Sequence, residues 1–278
     1  MAVVSFKTLM GVAEVAAVPV VKEFTIFNGN HWTTQNGGCC LQWTVPADIQ
    51  MIKFEILSGG GPGGSSGHSH EEPVGGQGGN YAMIQLLAED SDFTAGTSVY
   101  SLCAGGTSWC SCCNHCCTAC RDGCPSYVTG DGLSNFCAVG GRGGPNSWDV
   151  MSSCYNCQRS GQCNLGNYNS GWTQSTSNPG FCGIPNTPTT KSIGFTGTSG
   201  DMSHSYSCCS ESFTMAGVPT GPFSSQSGLS SDWCTGSVPC CSAHSNFPGG
   251  GGTGKAYATS SACWGFWGAG GLVKVTYQ

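Results

Sequence analysis

Four glycine clusters, at 59–64, 75–79, 140–144 and 249–254, constrain this chain more than any other feature. Each glycine in a helix interior costs about 1 kcal/mol relative to alanine, so runs of this kind exclude helix where they stand. Lacking a Cβ, such segments can instead approach other backbone closely. With 45 glycines among 278 residues, the chain needs order from extended segments and cross-links.

The apolar residues supply those extended segments. Residues 51–58, MIKFEILS, place Ile52, Phe54 and Ile56 on one face and Lys53 and Glu55 on the other, the period-two pattern of a half-buried strand. EFTIFN (23–28), LQWTV (41–45), YAMIQLL (81–87) and TSVYSL (97–102) continue the pattern. LVKVTY (272–277) repeats it, and we expect it to pair with an early strand. Between about 103 and 247 the alternation fades into Ser, Thr, Asn, Gly and Cys, with isolated aromatics. Loops of that length need chemistry in place of secondary structure.

Only 9% of residues are charged, with a net charge of −6 and nine scattered basic residues. No basic patch forms, so no nucleic-acid partner is expected. Low charge with eight Trp, eight Tyr and twelve Phe also argues against disorder of the whole chain. The opening stretch is apolar but carries Glu14 and a single early Lys7, a poor match to a secretory signal. No continuous apolar run reaches eighteen residues, so no membrane insertion is expected.

The chain holds 21 cysteines, an odd number, with five vicinal pairs. The densest stretch, WCSCCNHCCTACRDGC (109–124), offers Cys110, Cys112, Cys113, His115, Cys116, Cys117, Cys120 and Cys124 as ligands for zinc or iron. Its paired C-x-x-C spacings are those of tetrahedral thiolate sites. The competing chemistry is disulfides, each worth about 2–4 kcal/mol in a loop-rich region. Candidates are Cys39, Cys40, Cys103, Cys137, Cys154, Cys157, Cys163, Cys182, Cys208, Cys209, Cys234, Cys240, Cys241 and Cys263. Spacing does not determine their pairing. A third reading is buried free thiols acting as small hydrophobes.

Three motifs suggest other functions and fall short. GGGGTGKA (249–256) approaches a phosphate-binding loop, but Ala256 stands where the magnesium ligand belongs, and no buried strand or good helix flanks it. HSHEE (68–72) could ligate a divalent cation, against the entropy of ordering a glycine-rich loop. No G-x-S-x-G elbow or H-E-x-x-H occurs, and the reading is that the chain is not an enzyme.

The order of the pieces carries a resemblance. WTVPADIQMIKFEILSGGGPGG (43–64) is followed by GGQGGNYAMIQLL, FTAGTSVYSLCAGGT, LSNFCAVGGRGG and finally WGAGGLVKVTY. This set resembles the glycine-rich domain of tailed-bacteriophage tail fibre, tail tip and appendage proteins. The resemblance implies an all-β fold, a glycine-rich antiparallel β-sandwich over 23–145 and 247–278. It implies a virion location, with the protein made in the host cytoplasm and acting extracellularly. It further implies a structural or host-attachment role as tail fibre or tip, or as a capsid or neck appendage, in a homo-oligomer among other virion proteins. Residues 1–22 are then an attachment or assembly arm. Residues 146–246 are a Cys/Ser/Gly-rich irregular insertion, its cysteine-rich stretch beginning near 103. Trp172, Trp233, Phe247, Trp264, Phe266 and Trp267 are aromatic candidates for contact with a host surface glycan or protein. No cofactor is required. The alternative function is a metal-binding, cysteine-rich surface protein.

Overall fold

The structure is a computed structural model that describes residues 20–28, 39–63, 76–106, 122–141, 143, 181–182, 191–195, 197, 201–202, 214–215, 222–223, 229–230, 247–252 and 267–278. In chain order the strands are β1 (Lys22–Phe27), β2 (Cys39–Thr44), β3 (Met51–Leu57), β4 (Tyr81–Leu87), β5 (Val99–Ala104), β6 (Ser126–Gly130) and β7 (Leu133–Ala138). They continue with β8 (Phe181–Cys182), β9 (Lys191–Phe195), β10 (Asp201–Met202), β11 (Thr214–Met215), β12 (Leu229–Ser230) and β13 (Leu272–Tyr277). No helix occurs among the described residues, and the fold is all-β.

Two five-stranded antiparallel sheets form the body. One runs β1-β13-β3-β4-β9 and the other β2-β5-β6-β7-β8, with a small sheet β10-β11-β12 beside them. The alternation in the sequence decides which side chains turn inward. Ile52, Phe54 and Ile56 of β3, Ile84 and Leu86 of β4, and Val273 and Val275 of β13 line the first sheet's inner face. Tyr100 and Leu102 of β5, Val128 of β6, and Phe136 of β7 answer from the second. The sheets meet through aromatic contacts: Phe54 and Tyr100 lie 4.9 Å apart between ring centres, and Trp43 packs against Phe24 at 5.6 Å. The expected final strand pairs on both sides, with β1 and with β3.

Two findings go beyond the sequence reading. β8 and β9 lie inside the stretch read as an irregular insertion, and they complete the two main sheets. A hairpin, β6–β7, turns at Asp131-Gly132, with Gly132 at φ 70°. An Asp-Gly pair between alternating segments is a hairpin signal, and it stands in the sequence as SYVTGDGLSNF.

Candidate functional site

The strand registers give the body two distinct ends. Lys22, Tyr277, Ile52 and Leu86 form one terminal row across the first sheet. Phe27, Leu272, Leu57, Tyr81 and Phe195 form the row at the other end. The first end is closed by short turns, at 45–50, 88–98 and 131–132. Val45 and Gly96 are tied by a backbone hydrogen bond there, and Asp92 accepts one from the Leu87 amide. Its exposed turn residues include Asp48, Glu89, Asp90 and Asp131.

Beyond the second end the strands run on into glycine. Segments 58–61, 76–80, 104–106, 122–125, 139–141, 249–252 and 268–271 lie side by side. A strand in a flat sheet has two hydrogen-bonded neighbours; the central segment, 59–61, has five. Gly59 donates to Cys124, Gly60 to Ala269 and Gly61 to Gln77, while Gly59 and Gly61 accept from Gly141 and Gly252. This three-dimensional bundle is possible only without side chains at the contacts. A methyl group at Gly60 would overlap the carbonyl of Gly250, and one at Gly140 that of Gly123.

Three buried polar side chains join bundle to sandwich. Ser58 donates to the Val139 carbonyl at 2.7 Å and accepts from the Asn80 amide at 2.8 Å. The Asn80 amide group donates to the same Val139 carbonyl at 2.6 Å. Ser126 donates to the Leu57 carbonyl at 2.6 Å and accepts from the Gly105 amide. These bonds satisfy backbone groups where the ladders give way to glycine.

The outer face of the first sheet is apolar near the bundle and charged away from it. Phe223 lies tilted against Tyr81 at 6.0 Å between ring centres, and Phe247 meets Phe27 edge-on at 5.8 Å. Phe27 and Phe247 are both about half exposed, at 57% and 47%, and form an apolar pair on the bundle flank. Further along, Glu55 is buried, accepts from the Tyr81 hydroxyl at 2.9 Å and pairs with Lys53 at 3.0 Å. Burial first, and then the Glu55 charge, pushes the Tyr81 hydroxyl well above its ordinary pKa.

The described cysteines lie toward the bundle end. Cys40 of β2 is bonded to Cys103 of β5. Cys137 of β7 is also disulfide-bonded. Cys124 lies within the bundle as a half-buried free thiol whose pKa is raised by burial. Of the metal-ligand candidates only Cys124 is described; Cys110, Cys112, Cys113, His115, Cys116, Cys117 and Cys120 lie outside the described residues. Among the described residues no three His, Cys, Asp or Glu side chains converge. The backbones of Cys39 and Cys182 lie in β2 and β8. The remaining disulfide candidates, Cys154, Cys157, Cys163, Cys208, Cys209, Cys234, Cys240, Cys241 and Cys263, lie outside the described residues, as does the HSHEE segment. So do Trp172, Trp233, Trp264 and Phe266; Trp267 is half-buried where the last glycine segment begins.

Asn28, Cys39, Gly63, Gly76, Gly106, Asp122, Gly143, Gly197, Phe247, Gly252 and Trp267 lie on the bundle side, whereas Lys191 opens β9 opposite Gln85, near the short-turned end. The described body is cross-linked by backbone hydrogen bonds between its glycine segments and by disulfides at Cys40–Cys103 and at Cys137. Among the described residues no helix is long and apolar enough to cross a membrane. The chain matches no protein-family model, and no characterised protein is similar enough to register as a relative.

Proposed function

We propose that this protein is a structural component of a bacteriophage virion, a tail fibre or tip or an appendage of the capsid or neck, with its glycine end turned toward the host. The supporting observation is the polarity of the body. Most described residues that flank the long cysteine-, serine- and aromatic-rich stretches of the sequence lie on the bundle side, whereas residues 20–22 enter β1 at the opposite, short-turned end. An attachment protein needs such a division, with one end held by its neighbours and the other presenting variable surface. The work is assembly and adhesion and calls for no turnover. No cofactor is required, and the partners are other virion proteins, further copies of this chain and a host surface glycan or protein. Cyclic symmetry is the usual arrangement for such copies.

Mass spectrometry of gradient-purified particles from the virus that encodes this chain tests the reading. Recovery at several copies per particle supports it. Recovery only in the soluble host lysate overturns it. Elemental analysis of the same particles separates the metal-binding alternative: about one zinc or iron atom per chain, lost to chelator, would favour it.

A further inference from the structure

One row of residues crosses the entire second sheet. Cys40 faces Cys103, Cys103 faces Tyr127, Tyr127 faces Cys137 and Cys137 faces Cys182. Among the described residues, the row begins on β2, an edge strand paired with β5, and ends on β8, an edge strand paired with β7. Its first pair is a disulfide. Cys137, 6% exposed, is disulfide-bonded as well.

We infer that Cys137 is bonded to Cys182, so that a matched pair of disulfides in one row closes both edges of the second sheet. Directly opposed residues in an antiparallel ladder have Cα atoms about 4.5 or 5.5 Å apart, depending on the pair type. Both separations fall within the span of a disulfide, about 4.4–6.8 Å. The first pair, with Cα atoms 4.2 Å apart, shows this sheet bridging directly opposed cysteines at slightly closer range. Other described cysteines are poor alternatives. Cys40 and Cys103 are bonded to each other, Cys124 is a free thiol, and Cys39 sits one row away, opposite Ala104 on the far edge.

The bridge has a mechanical consequence. Among the described residues β8 makes two register pairs, few for a strand to hold its place by backbone bonds. It lies between the long segment that follows Gly143 and the crossover that carries the chain to β9 in the other sheet. A sulfur bridge there latches the insertion to the body at its middle. The latch closes by two thiol–disulfide exchanges with a small-molecule disulfide. The two cysteine thiols become one disulfide, and the small molecule leaves as two thiols. It opens by the reverse reaction, so the hold on the insertion follows the redox state of the surroundings. None of this depends on the virion reading.

The test is disulfide mapping of the unmodified protein: alkylation of free thiols under denaturing conditions without reductant, digestion, and sequencing of linked peptides. The expected result is the peptide holding Cys137 joined to the peptide holding Cys182. Cys137 joined to any other cysteine, or recovered alkylated, overturns the assignment. The latch is read separately, by limited proteolysis between 144 and 180. The double variant C137S/C182S, checked for retention of the Cys40–Cys103 bridge, is expected to be cut about tenfold faster than the unreduced parent. An unchanged rate overturns the latch and leaves the mapping result to stand by itself.

Discussion

A side chain at Gly60 has nowhere to go, because the Gly250 carbonyl occupies the place of its Cβ. Backbone on both sides cannot yield as a side chain would, so Gly60→Ala is expected to cost about 3 kcal/mol, read as a lower denaturant midpoint. Gly96 is the contrast. Its Cβ would meet only Ala47 at ordinary contact distance, but its φ of 80° favours glycine. Gly96→Ala is therefore expected to cost only about 1 kcal/mol. Equal losses at the two sites would contradict the bundle. Tyr81 and Tyr100 extend the residue argument to pH. Both hydroxyls are raised by burial first and by nearby carboxylates second: Glu55 for Tyr81, Asp131 and then Asp92 for Tyr100. Because the folded pKa values are raised, the native state holds these protons longer than the unfolded chain does. Their contribution is complete below 10.0, the ordinary tyrosine value, and is lost as pH rises beyond it. Stability is expected to fall above that pH, with Tyr81 and Tyr100 ionising only as the chain unfolds. Ultraviolet titration alongside circular dichroism checks this, and eight tyrosines ionising before unfolding would contradict it.

Among the elements, β2 is held by chemistry beyond its own ladder. It is an edge strand held by β5 and by the Cys40–Cys103 bridge, whose cysteines are 63 residues apart in sequence. A loop of that length corresponds to about 4 kcal/mol of stabilisation in the chain-entropy account. The double variant C40S/C103S is expected to lose most of that in denaturant unfolding, and a loss below about 1 kcal/mol would show that the bridge only decorates the strand. The strands themselves were legible wherever one face is buried. MIKFEILS and LVKVTY alternate because every second side chain enters the core shared by Phe54, Tyr100 and Val275. The same rule does not find β8, which is two residues long and held at the edge of its sheet. It underweights β9, where KSIGF has only Ile193 and Phe195 as apolar strand formers amid serine and glycine. The hairpin at Asp131-Gly132 carried its turn signal openly, but the surrounding cysteine-rich composition obscured it. For the site, the cysteines were visible and their partners were not. Pairing follows register, and register appears only once the sheet is assembled.

At the scale of the molecule, glycine runs and alternating strands are two halves of one design. The strands bury side chains between two sheets; where side chains stop, the same chain segments continue as a bundle held by backbone hydrogen bonds. Glycine clusters in the sequence mark the contact but do not reveal that 59–61 sits at its centre, because that depends on segments distant in the chain. The result is a body with a short-turned end and a bundle end, and the proposed function assigns the first to the virion and the second to the host. Antibodies to two peptides test that assignment most directly, one against residues 107–121 and one against the 88–98 turn. On intact particles the first is expected to bind and to block adsorption to host cells, while the second binds only after the particles are disrupted. Equal binding of both to intact particles, or binding of the turn antibody alone, would contradict the account.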